Sequence, residues 1–169
     1  MKKTKKILLF VAIVLTIVFV ASIIANSVMM FQFKTNCEQY IKRAAEASNV
    51  ETAKEELAKA VHYAESNNLT EGNTGVFFNQ PKNDVGYWYK NMKQAYDELN
   101  KLPEDATQLE ESNLLMRVRE TLVFDGKLNV QVTHPENIHL YPNVVAFVIW
   151  MLGSGIICLI LWVILLGMA

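Results

Sequence analysis

Apolar residues in this chain are gathered into two long runs, one at each end. From residue 7 to residue 25 the polar side chains are Thr16 and Ser22 alone. From residue 144 to residue 166 the departures from strongly apolar types are Ala146, Gly153, Ser154, Gly155 and Cys158. As helices these runs are about 28 Å and about 35 Å long, enough to cross a hydrocarbon core. The second is long enough to tilt. Neither holds an Asp, Glu, Lys, Arg or His.

The pattern between the runs changes to helical stripes. No Gly or Pro precedes Gly72, so the first helix is expected to leave the membrane unbroken and continue to about residue 47, with Cys37, Tyr40, Ile41 and Ala44 on one side. Ser48-Asn49-Val50-Glu51 reads as a capping box. The helix after it carries Val50, Ala53, Leu57, Ala60, Val61 and Ala64 and runs to about Asn67. Residues 67–83 form a loop by composition, with Val76-Phe77-Phe78 as a short strand inside it. Asn83 or Asp84 caps a third helix with the stripe Val85, Trp88, Met92, Tyr96, Leu99 and Leu102. Pro103-Glu104-Asp105 reads as the opening of a fourth helix, buried through Ala106, Leu109, Leu115, Val118 and Leu122. Asp125-Gly126 ends it. Leu128, Val130 and Val132 then alternate with polar residues, as in a strand that pairs with residues 76–78. Tyr141 suits an interfacial aromatic belt, and Pro142 suits the first turn of the returning helix.

Charge adds an orientation. Lys2, Lys3, Lys5 and Lys6 precede the first run with no acid beside them, which keeps that end cytoplasmic. All 17 Asp and Glu lie between the runs against 12 of the 16 Lys and Arg, a formal charge of −5 for the middle segment. A basic face for phosphates is missing there, so nucleic acid is not expected as a partner. A cleaved signal peptide is the rival reading, since Ala25-Asn26-Ser27 offers small residues. The apolar run exceeds a usual signal core, however, and residues 28–31 are again apolar, so the span is expected to be retained. The expected division is a basic cytoplasmic tail (1–6), a first membrane helix (7–31), an extracytoplasmic helical domain (32–141) and a second membrane helix (142–169). The fold class is mainly all-α: two transmembrane helices flank a four-helix bundle-like domain with a minor two-stranded β element. The location is the plasma (inner) membrane of a bacterium, with both termini cytoplasmic.

Candidate chemistry is sparse. Phe77, Phe78, Tyr87, Trp88 and Tyr89 lie close in sequence to the amides Asn79, Gln80 and Asn83, as in a small-ligand or partner surface; the plainer reading is that Trp88 and Tyr89 fill the core beneath a long loop, with hydroxyls at the surface. His134, Glu136 and His139 lack a metal-ligand spacing and read as loop residues with local partners. Cys37 reads as a small buried residue; its separation in depth from Cys158 forbids a disulfide between them. Glu55-Glu56 and Glu110-Glu111 read as solvated surface. Small residues suited to close helix packing are Ala21 and Ala25 in the first run and Gly153, Ser154 and Gly155 in the second. Phosphate loops, nucleophile triads and zinc-protease motifs are missing, and no cofactor and no catalytic or metal residues are expected.

The layout resembles the periplasmic sensor modules of bacterial chemoreceptors and sensor kinases, in topology alone and without a shared motif, so no residue role is carried over. Unlike them, the sequence has no output domain after residue 169, and a signal received outside would pass laterally. The expected function is a non-enzymatic accessory, scaffold or interaction subunit. Its partners are the lipid bilayer and another membrane protein or a second copy of itself. The alternative is a ligand-sensing subunit that uses the Phe77–Tyr89 region.

Overall fold

The computed structural model describes residues 2–126 and 130–167. The chain is mostly helical with one small two-stranded sheet, and two of its helices are long and apolar enough to cross a membrane. Helix α1 (Lys2–Phe33) passes through one π turn (Lys34–Glu38) directly into α2 (Gln39–Ala45). The buried residues at this junction, Phe33, Cys37 and Ile41, fall four apart. Steps of four drift about 40° around an α-helix. The wider π turn offsets that drift and holds all three on one side.

The body is built from α2, α3 (Val50–Ser66), α4 (Val85–Lys101) and α5 (Gln108–Leu122). Helix α2 packs on α3 and α5, and α4 packs on the same two. Ile41, Leu57, Met92 and Val118 are almost fully enclosed at their shared centre. Helix α3 ends where Asn68 takes a left-handed conformation (φ 56°). Leu69 N–H then reaches back to Ala64 O (2.8 Å), and the Leu69 side chain is buried, a C-terminal cap with its apolar contact.

Strands β1 (Val123–Asp125) and β2 (Val130–Val132) are antiparallel, with Val123 opposite Val132 and Asp125 opposite Val130. A short 3-10 turn (Ile138–Leu140) leads to α6 (Val144–Gly167).

Helices α1 and α6 lie along each other in opposite directions. Three polar contacts set the register. Trp162 Nε1 donates to Thr16 Oγ1 (3.1 Å), Trp150 Nε1 donates to Ser22 Oγ (3.1 Å), and His139 Nε2 lies 3.0 Å from Asn26 Oδ1. Between the first two, a Cβ on Gly155 would sit 3.4 Å from the Phe19 ring, so glycine permits the approach. The less exposed residues of α1 include Leu8, Ala12, Leu15, Phe19, Ser22, Asn26, Met29 and Phe33; those of α6 include Val144, Met151, Cys158 and Leu165. Spacings that alternate three and four, or repeat at seven, are those of two helices that wrap gently around one seam.

Several expectations are corrected. Asn49, not Ser48, caps α3: its Oδ1 accepts from Thr52 N (2.8 Å), while Glu51 turns to Lys54. Asp84 caps α4 by accepting from Tyr87 N (2.8 Å). The fourth helix does not open at Pro103. Residues 103–106 make a turn, and a capping box follows in which Thr107 and Glu110 bind each other's backbone N–H. Leu114, Val118 and Leu122 form the buried face, while Leu109, nine residues and therefore half a turn away from Val118 around the helix, is 70% exposed. That helix also ends at Leu122, ahead of the Asp125-Gly126 turn expected to close it. Residues 76–78 form no strand, and β2 pairs with β1, its nearest neighbour in the chain. Leu128 and Asn129 of the expected strand lie outside the described residues. Glu56 is not solvated: α2 lies over it, and its carboxylate takes Arg43 (3.1 Å) and Lys59 (2.8 Å) at 4% exposure.

Candidate functional site

A mainly apolar cleft opens where α1 enters the body. Trp88 and Met92 of α4 and Leu122 at the end of α5 make its floor; Tyr87, Phe124 and His134 stand around it. Each is placed by a local feature already described. The Asp84 cap starts α4 so that Trp88 falls one turn in, on the buried side, with Tyr87 beside it facing out. The β1–β2 ladder carries on through Thr133 N–H to Leu122 O (2.9 Å), which brings His134 across from α4. The cleft holds about 210 Å³. That is below the roughly 300–1,000 Å³ of sites for drug-sized ligands and is room for a single ring or a short aliphatic chain.

Behind the cleft sits Phe33, the last residue of α1. Its ring lies 5.3 Å from His134, 6.4 Å from Trp88 and 6.2 Å from Tyr63, centroid to centroid. The His134 contact is edge-on, the geometry that ring quadrupoles favour. Two cleft residues therefore bear directly on the point where the long apolar helix joins the body.

The aromatic residues singled out from the sequence are not brought together. Trp88 is only 7% exposed and belongs to the core, with Tyr87 next to it on the cleft rim. Tyr89 faces the other side of α4 and donates to Glu65 Oε1 (2.6 Å), which ties α4 to α3. Partial burial first, and then this carboxylate, push the Tyr89 hydroxyl up to about 12. Phe77 and Phe78 stand 78% exposed at the end of the loop between α3 and α4, away from the cleft floor. Met92, Leu122, Phe124 and His134 were missed as site residues. Phe124 and His134 lie far along the chain from Trp88, and only the strand pairing makes them neighbours.

The loop histidines have separate partners. His134 Nδ1 lies 3.0 Å from Pro135 O, Glu136 pairs with Lys82 (2.7 Å), and His139 faces Asn26. Burial first, and then the charge of His134, hold His139 below its ordinary value. Cys37 is fully enclosed, with Sγ 3.9 Å from Ala60 O, and burial pushes its thiol up to about 12. Of the small residues, Ser154 and Gly155 lie in the α1–α6 seam. Ala21 and Ala25 are exposed on α1, and nothing lies within 4 Å of a Cβ built on Gly153. Among the described residues no three metal-ligating side chains converge. Comparison of the chain with protein-family models, with curated proteins and with solved structures finds no match.

Proposed function

We propose that this protein is a two-pass membrane protein whose helical body stands outside the cytoplasm and acts without catalysis, as an accessory or interaction subunit of a membrane complex. In this reading α1 and α6 cross the plasma membrane as one hairpin, the N-terminal lysines stay cytoplasmic, and α2 to α5 form a four-helix body. The observation that carries it is the solvent preference of the hairpin. Within the most apolar stretch of the first helix only 6% of residues are buried, and 17% in the second. A core helix of a water-soluble protein would hide such a stretch, and outward faces given over to lipid account for this exposure. The polar groups Thr16, Ser22 and Asn26 turn inward and find partners, as an apolar surrounding demands. Two apolar spans without an Asp, Glu, Lys, Arg or His are poorly suited to transport, and the body's exposed surfaces are then what remains to act.

The test is accessibility of Lys93→Cys on α4 to a membrane-impermeant maleimide in intact cells. Labelling without permeabilisation is expected. Labelling only after permeabilisation would put the body in the cytosol and overturn the reading. An accessory role further requires a partner that co-purifies in mild detergent at fixed stoichiometry and is destabilised when this chain is deleted.

A second reading is favoured by the packing of Trp88 and His134 on Phe33. A small apolar ligand in the cleft would press on the residue that ends α1, next to a π turn, an element often found at functional positions. The body would then sense a ligand and signal through a partner membrane protein. Screening small aromatic and aliphatic compounds for a rise in melting temperature that Tyr87→Ala abolishes tests this reading.

A further inference from the structure

The loop between α3 and α4 presents Phe77 and Phe78 at 78% exposure each, more than any large apolar side chain of α1 or α6. The exposure is held in place. Asn73 Nδ2 donates to Gln80 O (3.1 Å), and Asn73 Oδ1 accepts from Gly75 N (2.8 Å), so one amide ties both ends of the hairpin-like tip. Below it Thr74 N donates to Asn83 O (2.9 Å), and Val85 N donates to Gly72 O (2.9 Å). A braced loop that sets two adjacent phenyl rings in water is unfavourable unless something apolar receives them.

The place of this loop in the fold says what receives them. It springs from the end of the body at which both apolar helices join. Phe33, ending α1, packs on Tyr63 near the end of α3 and on Trp88 near the start of α4. Gly72 (φ 97°) lies against Tyr141, just before α6, so closely that any side chain there would collide with the phenol ring. Lys82 pairs with Glu136 of the same re-entry segment (2.7 Å). Residues 72–83 contain no acid, in a middle segment of formal charge −5. An anionic lipid surface would repel most of the body and would not repel this loop.

We propose that Phe77 and Phe78 insert into the interfacial layer of the same bilayer that α1 and α6 cross, a third attachment that fixes the tilt of the body on its hairpin. The proposal rests on the two-pass reading above. Phenyl rings partition into the headgroup–acyl boundary, and the flanking Asn79 and Gln80 amides suit its polar side.

The experiment uses the full chain in vesicles of phosphatidylcholine and phosphatidylglycerol, spin-labelled at Asn79→Cys, with unsubstituted protein labelled in parallel to subtract Cys37 and Cys158. Collisional accessibility to oxygen and to a water-soluble nickel chelate is measured. Labels at Leu152→Cys, on the outward face of α6, and at Lys93→Cys on α4 serve as references. The expected result is a lipid-like ratio at 152, an aqueous ratio at 93, and at 79 a ratio shifted toward lipid. That shift should disappear in Phe77→Ser/Phe78→Ser, whose melting temperature should stay unchanged. An aqueous ratio at 79 with a lipid ratio at 152 overturns this proposal alone. A label at 79 shielded from both reagents assigns the loop to a protein contact and also overturns it. An aqueous ratio at 152 overturns the two-pass reading beneath it.

Discussion

The junction at Phe33 offers the sharpest test of how the long apolar helix is joined to the body. Phe33 is 3% exposed and touches three rings; Phe31, two residues earlier on the same helix, is 68% exposed. Replacing a buried Phe by Ala removes its transfer free energy and leaves a cavity, about 3–5 kcal/mol together. Replacing an exposed one stays within about 0.5 kcal/mol. The two variants make the same chemical change in the same helix, so helix propensity nearly cancels between them. For a body of this size each kcal/mol moves the melting temperature by about 4–8 °C. Phe33→Ala should therefore melt at least about 10 °C below Phe31→Ala. The measurement is thermal unfolding of the full chain in mild detergent, followed by near-ultraviolet circular dichroism of the body's aromatic residues. If the two variants melt within about 3 °C of each other, α1 does not end inside the core, and the coupling of cleft to helix is wrong.

Other expectations are local. Thr107→Ala removes one half of the α5 capping box and should cost about 1 kcal/mol, as should Asn49→Ala, while Ser48→Ala should cost almost nothing; chemical denaturation of the three variants ranks them. With the Cys37 thiol pushed up from 9.0 to about 12, its thiolate fraction at pH 8 falls roughly a thousandfold, so maleimide should modify it only after unfolding. Rapid labelling in the folded protein would contradict its enclosure. His139 is held below its ordinary value of 6.5, so the folded state binds fewer protons than the unfolded one. The associated stability is complete above pH 6.5 and is lost as pH falls through that value toward the lowered one. Melting temperatures between pH 8 and pH 5 should show this slope, and His139→Gln should flatten it.

How much of this was legible depended on the range of the interaction involved. Apolar runs and helical stripes are properties of neighbouring residues, and so α3 and α4 appear with the buried residues expected of them: Leu57, Trp88, Met92 and Leu99. Caps were legible in type but not in position. Ser48 and Asn49 are both good caps, and the choice fell to the residue whose extended backbone aims its side chain at Thr52. The expected stripe put Leu109 on one face with Val118, although nine residues at about 100° each put the two on opposite sides of a single helix. Glu56 shows the opposite failure. Its own helix gives it a polar setting, and only the approach of α2, with Arg43, encloses it.

The amino-acid order alone determined a mainly helical chain with two long apolar helices, because burial preference and backbone propensity act over a few residues at a time. It left open what those stretches meet. Tertiary structure decided that Thr16, Ser22 and Asn26 face α6 and its approach, that β2 pairs with β1, and that Trp88, Phe124 and His134 share one cleft while Phe77 and Phe78 stand outside it. Apart from the β1–β2 pair, those contacts join residues tens of positions or more apart along the chain. No local preference encodes them, since the free energy that selects such contacts is gained only when every element packs at once.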